Sequence, residues 1–285
     1  MALLGITGVV ACSEPPSLES QLTDITSRHS AATVAVAVRD HGVNVDILSD
    51  RPFHAASTMK VPVMIEAWRR ARSGSLNLSM PLIIKNEFRS IVDSSMYHIE
   101  DDTDDAIYER LGETMTVTEL IYQMITVSSN LATNLLIDYL GADAIQQTVD
   151  SLGAPGMRVL RGVEDLKAFD LGLSNETTAA ALARLMEVIM LGQAVDPTAD
   201  RSMVDVMLDA AFNEMIPAGL PDGVRVAHKT GQITRIHHDA AIVYPPDAEP
   251  YVLVILIEGL EDDVLSATLG ADIARTVHTS LRSGS

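Results

Sequence analysis

The stretch HAASTMKVPVMIEAWRR, residues 54–70, contains Ser57, the one serine in the chain that a lysine follows three positions later. A helix from about residue 58 to about residue 72 is predicted by apolar residues at the spacing of one helical face, Met59, Val63, Met64, Ala67 and Trp68. Pro62 falls in the first turn, where a missing N–H costs little. We therefore expect Ser57 at a helix N-terminus, with Lys60 on the same face.

This pair suits nucleophilic chemistry. A serine hydroxyl is a weak nucleophile at neutral pH, so a neighbouring base must take its proton, and a lysine can do so only if burial or nearby positive charge lowers its pKa. The free backbone N–H groups and partial positive charge of a helix N-terminus favour an anion forming on an attacked carbonyl. Ser57 and Lys60 are therefore the candidate nucleophile and base.

Ser128-Ser129-Asn130 forms a second polar motif. It lies between the apolar run LIYQMITV and the helical pattern LATNLLIDYL, which predicts a short loop between two buried helices, where Ser128 can face a cleft. A similar motif at Ser75-Leu76-Asn77 follows Gly74 and indicates a turn instead.

Lys229-Thr230-Gly231 is the third motif. It lies where the strand pattern VRVAHKTG meets a predicted loop, ahead of a second strand, DAAIVYPP. By itself it also fits a lysine on an edge strand. The order of the three motifs along the chain predicts a covalent serine hydrolase.

Together the motifs resemble those of the penicillin-recognising serine hydrolases, most closely the class A beta-lactamases. STMKVP, MITVSSNLATNLLID, TTAAALARLM and HKTG all look like their counterparts, so the similarity extends over most of residues 20 to 280. The resemblance implies a site without a cofactor. Its catalytic residues would be Ser57 as the acylated nucleophile, Lys60 as the proton acceptor and Ser128 as the proton donor to the leaving nitrogen.

The resemblance also implies a set of binding groups. Asn130 would hold the substrate amide, and Lys229 with Thr230 would hold a carboxylate. The backbone N–H groups of Ser57 and Gln232, which follows Gly231, would form the oxyanion hole.

One departure from the family concerns hydrolysis of the acyl-enzyme. Class A enzymes carry Glu-x-x-Leu-Asn before the helix that begins with two threonines, whereas this chain reads RGVEDLKAFDLGLSNETT. Counting back from Thr177-Thr178 places Val163 where the glutamate is expected and Glu164 one position later. Glu164 is our candidate base, with a solvated loop carboxylate as the alternative; Asp165 and Glu214 are weaker candidates. The middle residue of the second motif also differs, since class A enzymes usually have aspartate in place of Ser129.

A second departure follows the third motif. Many class A enzymes place an arginine about ten residues after the lysine to bind the substrate carboxylate, and here that position is Asp239, an acid that would oppose an anionic ligand. Arg235 could compensate from the turn, although a surface arginine is the simpler account. His237 and His238 resemble metal ligands, but neighbouring residues on a strand point to opposite faces, so we expect no metal.

The order of elements predicts the fold class. TVAVAVRD and VNVDILSD, joined at His41-Gly42, predict a hairpin; helices follow to about residue 212, including a capping box that begins at Thr116. Strands return at VRVAH, DAAIVYPP and YVLVILIEG before a closing helix. We predict an α/β (α+β) fold with one antiparallel sheet built from both chain ends, flanked by helices. Its sheet lobe would comprise residues 20–52 and 217–285, with an all-α lobe inserted at 53–216.

Composition favours a globular enzyme. The chain has 285 residues, 47% of them hydrophobic, enough for a large core. Acidic residues outnumber basic ones by 39 to 20, and the net charge of −19 argues against nucleic acid or an anionic membrane as a partner. The densest acidic run, residues 100–105, is interpreted as a solvated loop. The resemblance implies a small-molecule beta-lactam or an acyl-peptide as substrate, and we expect a monomer.

The N-terminal segment suggests export. MALLGITGVVA is apolar and ends in Val9-Val10-Ala11 before Cys12, which resembles a bacterial lipobox whose cysteine becomes lipidated. Residues 1–19 are interpreted as a truncated lipoprotein signal and a linker, with an unprocessed tail of a cytoplasmic protein as the alternative. Because Cys12 is the one cysteine, an intramolecular disulfide is impossible.

Three functions remain open on the sequence. Beta-lactam hydrolysis is the first. A D-alanyl-D-alanine peptidase or esterase on the same scaffold is the second. A penicillin-binding sensor or lipoprotein that does not turn substrate over is the third.

Overall fold

The computed structural model describes residues 16–283. Five antiparallel strands form the main sheet in the order β2-β1-β11-β10-β9. These are β1 (Thr33–Asp40), β2 (Val43–Ile47), β9 (Arg225–Ile233), β10 (Ile236–Tyr244) and β11 (Tyr251–Glu258). Three two-stranded ribbons add β3 (Phe53–His54), β4 (Pro81–Ile83), β5 (Phe88–Arg89), β6 (Met96–Tyr97), β7 (Thr114–Thr116) and β8 (Glu176–Thr177).

Helices at the two chain ends cover one face of the sheet, and the helices between β3 and β9 cover the other. They are α1 (Leu18–Ser27), α2 (Lys60–Ser73), α3 (Asp105–Tyr108), α4 (Val117–Thr126), α5 (Asn130–Leu140), α6 (Ala142–Ser151), α7 (Leu166–Asp170), α8 (Ala179–Met190), α9 (Pro197–Leu208) and α10 (Asp263–Ser283). Two 3₁₀ turns lie at Ala56–Met59 and Pro217–Gly219.

The sheet is buried on both sides. Alternate residues of β1 and β11 enter two separate cores: Val36 and Ile255 pack toward α1 and α10, whereas Ala35 and Val254 pack toward the inserted helices, of which α8 lies directly on the sheet. Burial on both faces explains why β11 is a continuous apolar run rather than an alternating one. The predicted α/β fold, with an antiparallel sheet built from both chain ends, is confirmed.

Two local predictions agree with the structure, and one about the N-terminal linker does not. β1 and β2 form the expected hairpin, and Thr116 and Glu119 exchange the two hydrogen bonds of a capping box at the start of α4. Ser17 caps α1, which begins at Leu18, so residues 18 and 19 belong to a helix rather than to a linker. The lipobox motif and Cys12 lie outside the described residues.

Two predicted boundaries are wrong. The helix after Ser57 begins at Lys60, because residues 56–59 form a tighter 3₁₀ turn first. β9 does not end at the Lys-Thr-Gly motif but continues through it to Ile233, paired with β10 along its whole length.

Within residues 16–283, no helix is long and apolar enough to cross a membrane.

Candidate active site

Ser57 lies in the 3₁₀ turn that joins β3 to α2, beside the edge strand β9. Gly231 makes this approach possible: a Cβ atom added there would lie 3.0 Å from the backbone nitrogens of both Ser57 and Thr58. Such contacts are tighter than nine in ten real Cβ contacts, so a side chain at this position would require β9 or the turn to shift by a few tenths of an ångström. The glycine of the third motif thus lets the strand lie against Ser57.

Lys60 begins α2 and is completely buried. Its Nζ donates to the backbone oxygen of Ser128 at 2.7 Å, to Ser128 Oγ at 3.2 Å and to Asn130 Oδ1 at 2.9 Å. Burial, and then the charge of Lys229, lower the pKa of Lys60 well below its usual range, although Asp102 and Glu164 oppose the shift. The first residue of α2 is therefore held in its uncharged form more easily than an ordinary lysine.

Lys229 approaches the same hydroxyl from the sheet. Its Nζ lies 3.0 Å from Ser128 Oγ and 2.9 Å from the backbone oxygen of Thr230. Burial lowers the pKa of Lys229 to about 7, against the opposing charges of Asp239 and Glu214. Ser128, on the loop between α4 and α5 as the sequence predicts, has a left-handed backbone with φ of 60° and is held between two lysine amines.

These groups border a cavity of about 490 Å³. Of the residues predicted to form the site, six line it: Ser57, Ser128, Asn130, Glu164, Thr230 and Gln232. Lys60 and Lys229 are buried at the edge of the cavity, where both contact Ser128. One cavity therefore brings together residues from the 3₁₀ turn, the start of α5, β9 and the loop before α7.

Val163 lies on the loop before α7, at the position where class A beta-lactamases carry their glutamate. Val163 lines the cavity, and its backbone is clamped by Asn134, whose Oδ1 accepts from Val163 N at 2.7 Å and whose Nδ2 donates to Val163 O at 2.9 Å. Tyr97 Oη donates to the same oxygen at 3.2 Å. A sliding of this loop by one residue would break all three bonds, so Val163 is fixed in place.

Glu164 also lines the cavity, with a left-handed φ of 62°. Partial burial, followed by the negative charge of Asp101, raises the pKa of Glu164, while Arg161 and Lys60 oppose that rise. Neighbouring Asp165 instead caps α7 and accepts from the backbone N–H of Ile91 at 3.0 Å. The carboxylate of Asp165 is therefore occupied by backbone N–H groups, and Glu164 is the better candidate base.

The residues considered after the third motif have structural partners. Asp239 is fully buried and accepts from the backbone N–H of Ile216 at 3.1 Å, with its other oxygen 2.9 Å from His228 Nδ1. It therefore does not face a ligand, and the expectation that it would oppose one is wrong. Arg235 lies at the turn between β9 and β10, donates to the backbone oxygen of Gly259 just after β11, and does not line the cavity.

His237 and His238 point to opposite faces of β10. His237 Nδ1 contacts Ser266 Oγ of α10 and its Nε2 lies 3.6 Å from Glu214 Oε1, whereas His238 Nε2 lies 3.0 Å from the backbone oxygen of His54. In the part of the chain that the structure describes, no group of three or more His, Cys, Asp or Glu could hold a metal ion. Glu214 itself lines the cavity, and its contact with His237 lowers the pKa of its carboxyl group.

Sequence reasoning missed two residues that hold the site together, Asn134 and Asp102. Asn134 lies one helical turn after Asn130 on α5, in a mostly apolar stretch. Because a buried asparagine needs hydrogen-bond partners, an asparagine at this spacing is a sequence signal that could have identified it. Asp102 belongs to the acidic run that the sequence predicts to be a solvated loop, but its carboxylate accepts from the backbone N–H groups of Asn130 and Leu131. The prediction of a solvated loop is wrong for Asp102 and also for Asp104, which is buried.

The fold and the arrangement of Ser57, Lys60 and Ser128 define a beta-lactamase-like serine hydrolase. A profile of the beta-lactamase enzyme family matches residues 17–281, and the chain belongs to that family. Its curated relatives include a beta-lactamase of Rhodobacter capsulatus, 28% identical over 211 residues that cover 73% of this chain and 68% of the relative. A beta-lactamase of Streptomyces albus G is 33% identical over 172 residues, which cover 59% of this chain and 55% of the relative.

Solved structures agree with this assignment. The structure of PBP-A matches with a TM-score of 0.82 at 27% identity, covering 93% of this chain and 96% of that one. An ancestral class A beta-lactamase matches with a TM-score of 0.80 at 27% identity, covering 93% of this chain and all (100%) of that one. A single-substitution mutant of PBP-A, solved as an acyl-enzyme complex with penicillin-G, has a TM-score of 0.81 at 27% identity over 93% of this chain and 96% of that one.

Proposed function

We propose that this protein opens beta-lactams through an acyl-enzyme formed on Ser57. Ser57 Oγ attacks the lactam carbonyl carbon, Lys60 takes the hydroxyl proton, and the carbon–nitrogen bond of the ring breaks. Ser128 then gives a proton to the departing nitrogen and is reprotonated from Lys60. The observation that carries the proposal is the position of Ser128 Oγ, 3.2 Å from Lys60 Nζ and 3.0 Å from Lys229 Nζ.

The remaining groups bind the substrate. Lys229 and Thr230 receive the substrate carboxylate, Asn130 receives the amide, and the backbone N–H groups of Ser57 and Gln232 stabilise the carbonyl oxygen as it becomes negative. Release requires a base that activates water beside the ester, and Glu164 takes this role because it lines the cavity with a raised pKa.

A second function has its own support. Val163 is clamped at the position where class A beta-lactamases carry their glutamate, and one neighbour with a similar fold, the PBP-A mutant, is described as an acyl-enzyme complex with penicillin-G. These observations favour a penicillin-binding peptidase or esterase that is acylated quickly and releases a beta-lactam slowly. They also fit a sensor that is acylated once. The proposals share Ser57 as nucleophile and differ in the rate of release.

Intact-mass spectrometry with a penicillin, followed over time, tests this function. We expect one added ligand mass on a Ser57 peptide, no adduct in Ser57→Ala, and acylation slowed by on the order of 10² to 10⁴ in Lys60→Ala. Lys85→Ala, which removes an exposed lysine paired with Asp138, is the matched control and keeps the wild-type rate. An adduct on Ser128, or an unchanged rate in Lys60→Ala, would contradict these roles. Fast adduct decay supports the beta-lactamase, whereas slow decay with rapid cleavage of a D-alanyl-D-alanine peptide supports the peptidase.

We also propose that the protein is exported and anchored through a lipid on Cys12, because Val9-Val10-Ala11 precedes that cysteine as in a lipobox. In the native host, we expect the mature chain to begin at Cys12 and to sediment with membranes, and Cys12→Ser to release it. Recovery of unprocessed wild-type protein in the cytoplasm would rule out export.

A further inference from the structure

Asp102 reaches from one loop to the start of another element and uses both oxygens of its carboxylate. Oδ1 accepts from the backbone N–H groups of Asn130 and Thr103, each at 2.8 Å. Oδ2 accepts from the backbone N–H of Leu131 at 2.8 Å and from Tyr108 Oη at 2.9 Å. These contacts hold the carboxylate from both sides.

Two of those donors are the first two N–H groups of α5, which have no partner inside the helix. Ser129 caps the same helix in the ordinary way, and its Oγ accepts from Ala132 N at 3.2 Å. A carboxylate at a helix N-terminus also interacts favourably with the partial positive charge there. The first turn of α5 therefore has two caps, one from its own chain segment and one from Asp102.

The segment that carries Asp102 also orients the amide of Asn130. The backbone oxygen of Asp101 accepts from Asn130 Nδ2 at 3.1 Å, so Asn130 Oδ1 is the atom left to face Lys60, and it accepts from Lys60 Nζ at 2.9 Å. A chain of contacts thus runs from the Asp101-Asp102 segment through Asn130 to the amine of Lys60.

The charge of Asp102 acts on that amine as well. The charges of Lys229 on β9, of Glu164 on the loop before α7 and of Asp102 all shift the pKa of Lys60. Burial and Lys229 lower the pKa of Lys60, and the two carboxylates raise it. Neutralising Asp102 therefore lowers the pKa of Lys60 further.

We propose that Asp102 is a positioning residue for acylation, whose carboxylate fixes the first turn of α5 so that Asn130 Oδ1 holds the amine of Lys60 beside Ser128. The inference rests on the proposed function, in which Lys60 takes the proton of Ser57. Asp102 acts through Asn130 and Lys60 and takes no part in bond making.

The test compares Asp102→Asn with Asp102→Glu, which restores the charge, and with Glu100→Gln, a matched loss of charge at an exposed position of the same acidic run. We expect Asp102→Asn to slow the acylation rate constant by on the order of 10- to 100-fold, with a smaller effect on initial penicillin binding, because misplacing a reacting group lowers the rate more than affinity. The acid limb of the pH profile of acylation should move to lower pH, following the pKa of Lys60. Asp102→Glu should restore that limb at least in part, and Glu100→Gln should match the wild type.

A purely structural role would lower the melting temperature of Asp102→Asn and leave the acid limb in place, and that result would overturn the proposal. So would an unchanged acylation rate. If the wild type forms no adduct on Ser57, the proposed function fails instead. An NMR titration of Lys60 labelled at Cε then decides the positioning proposal: a lower pKa in Asp102→Asn than in Glu100→Gln supports it, and equal values overturn it.

Discussion

At the scale of single residues, the proposed chemistry depends on a hydroxyl held between two lysines. Ser128 Oγ lies 3.2 Å from Lys60 Nζ and 3.0 Å from Lys229 Nζ, and both amines are buried. Two buried lysines that share a partner do not both keep a proton easily, since burial and mutual repulsion each favour the neutral form. We infer that Lys60 serves as the neutral base and Lys229 as the charged donor.

That division predicts a decline of activity on the alkaline side. Lys229 has a pKa of about 7, and only its charged form attracts a substrate carboxylate. We expect kcat/KM to fall above pH 7 for a penicillin, approaching tenfold per pH unit, because kcat/KM reports the ionisations of the free enzyme. Lys229→Arg, which stays charged throughout this range, should remove the decline.

A substrate without the carboxylate provides the control for this prediction and should show no decline from the wild type. Values of kcat/KM with a penicillin that stay level or increase as the pH rises from about 7 to about 9 would mean that the charge of Lys229 does not bind the substrate.

At the scale of elements, the loop before α7 is fixed by side chains from outside it. Asn134 of α5 and Tyr97 of β6 hold the backbone of Val163, and Glu164 follows with a left-handed φ of 62°. A left-handed conformation is unfavourable for a residue other than glycine, and such strain persists only where the surroundings impose it. The clamp on Val163 therefore directs where the side chain of Glu164 points.

This loop predicts opposite effects for substitutions at two neighbouring positions. Glu164→Gln should leave acylation nearly intact and lengthen the adduct lifetime by on the order of 10², the usual contribution of a general base. Val163→Glu should shorten the lifetime by a comparable factor, because Val163 lines the cavity at the position that class A enzymes give to glutamate.

Val163→Gln has a similar shape to Val163→Glu without its charge and is the control. Adduct decay followed by intact mass checks both substitutions. Equal lifetimes in wild type and Glu164→Gln would show that another group activates the water, and equal lifetimes in Val163→Glu and Val163→Gln would show that a carboxylate at this position does not.

Local signals make some elements predictable. The hairpin of β1 and β2, the capping box of α4 and the apolar strand β11 each depend on neighbours in the chain, and the sequence predicts all three. The order of the three motifs along the chain also points to Ser57, Lys60 and Ser128. In the structure, Ser57 and Ser128 line one cavity, and Lys60 contacts Ser128 at its edge.

Features that depend on distant contacts are not predictable in this way. Asp102 has the same sequence signal as the exposed Glu100 and Asp101 beside it, and the packing of α5 against its loop supplies two of the donors to its carboxylate. β9 continues past Gly231 because β10 pairs with it there, although glycine in a strand pattern suggests an end or a bulge. The motif spacing places Asp239 near a ligand, but His228 and Ile216 hold it on the buried side.

At the scale of the whole molecule, His238 joins the sheet to the inserted segment. Its Nε2 lies 3.0 Å from the backbone oxygen of His54, and its Nδ1 accepts from the backbone N–H of Ile257. Only a neutral imidazole satisfies both contacts, with a proton on Nε2. Burial accordingly lowers the pKa of His238 from 6.5 to about 4.

This pKa predicts a loss of stability in acid. Between about pH 6.5 and pH 4 the unfolded chain binds a proton at His238 that the folded chain does not, so the free energy of unfolding decreases as the pH falls through this window. We expect His238→Gln to show a weaker decrease than the wild type, by about 3 kcal/mol at most. Urea unfolding at about pH 7 and about pH 4 measures the difference.

His41→Gln, at the exposed hairpin turn, is the control and should follow the wild type. An identical decrease in wild type and His238→Gln would assign the acid sensitivity to the carboxylates instead.

The pairing of β1 with β11, which joins Thr33 to Glu258, has a consequence for the growing chain. A ribosome delivers Ser57, Lys60 and Ser128 long before it delivers β9, β10 and β11, so β1 has to wait for most of the polypeptide before it gains its second neighbour. Pairing between such distant segments is slow, because a large loop must close before any contact is gained. We therefore expect Lys229 of β9 to reach Ser128 late in folding. On the proposed function, a nascent chain carries Ser57 before its site is complete, and activity marks a completely folded molecule.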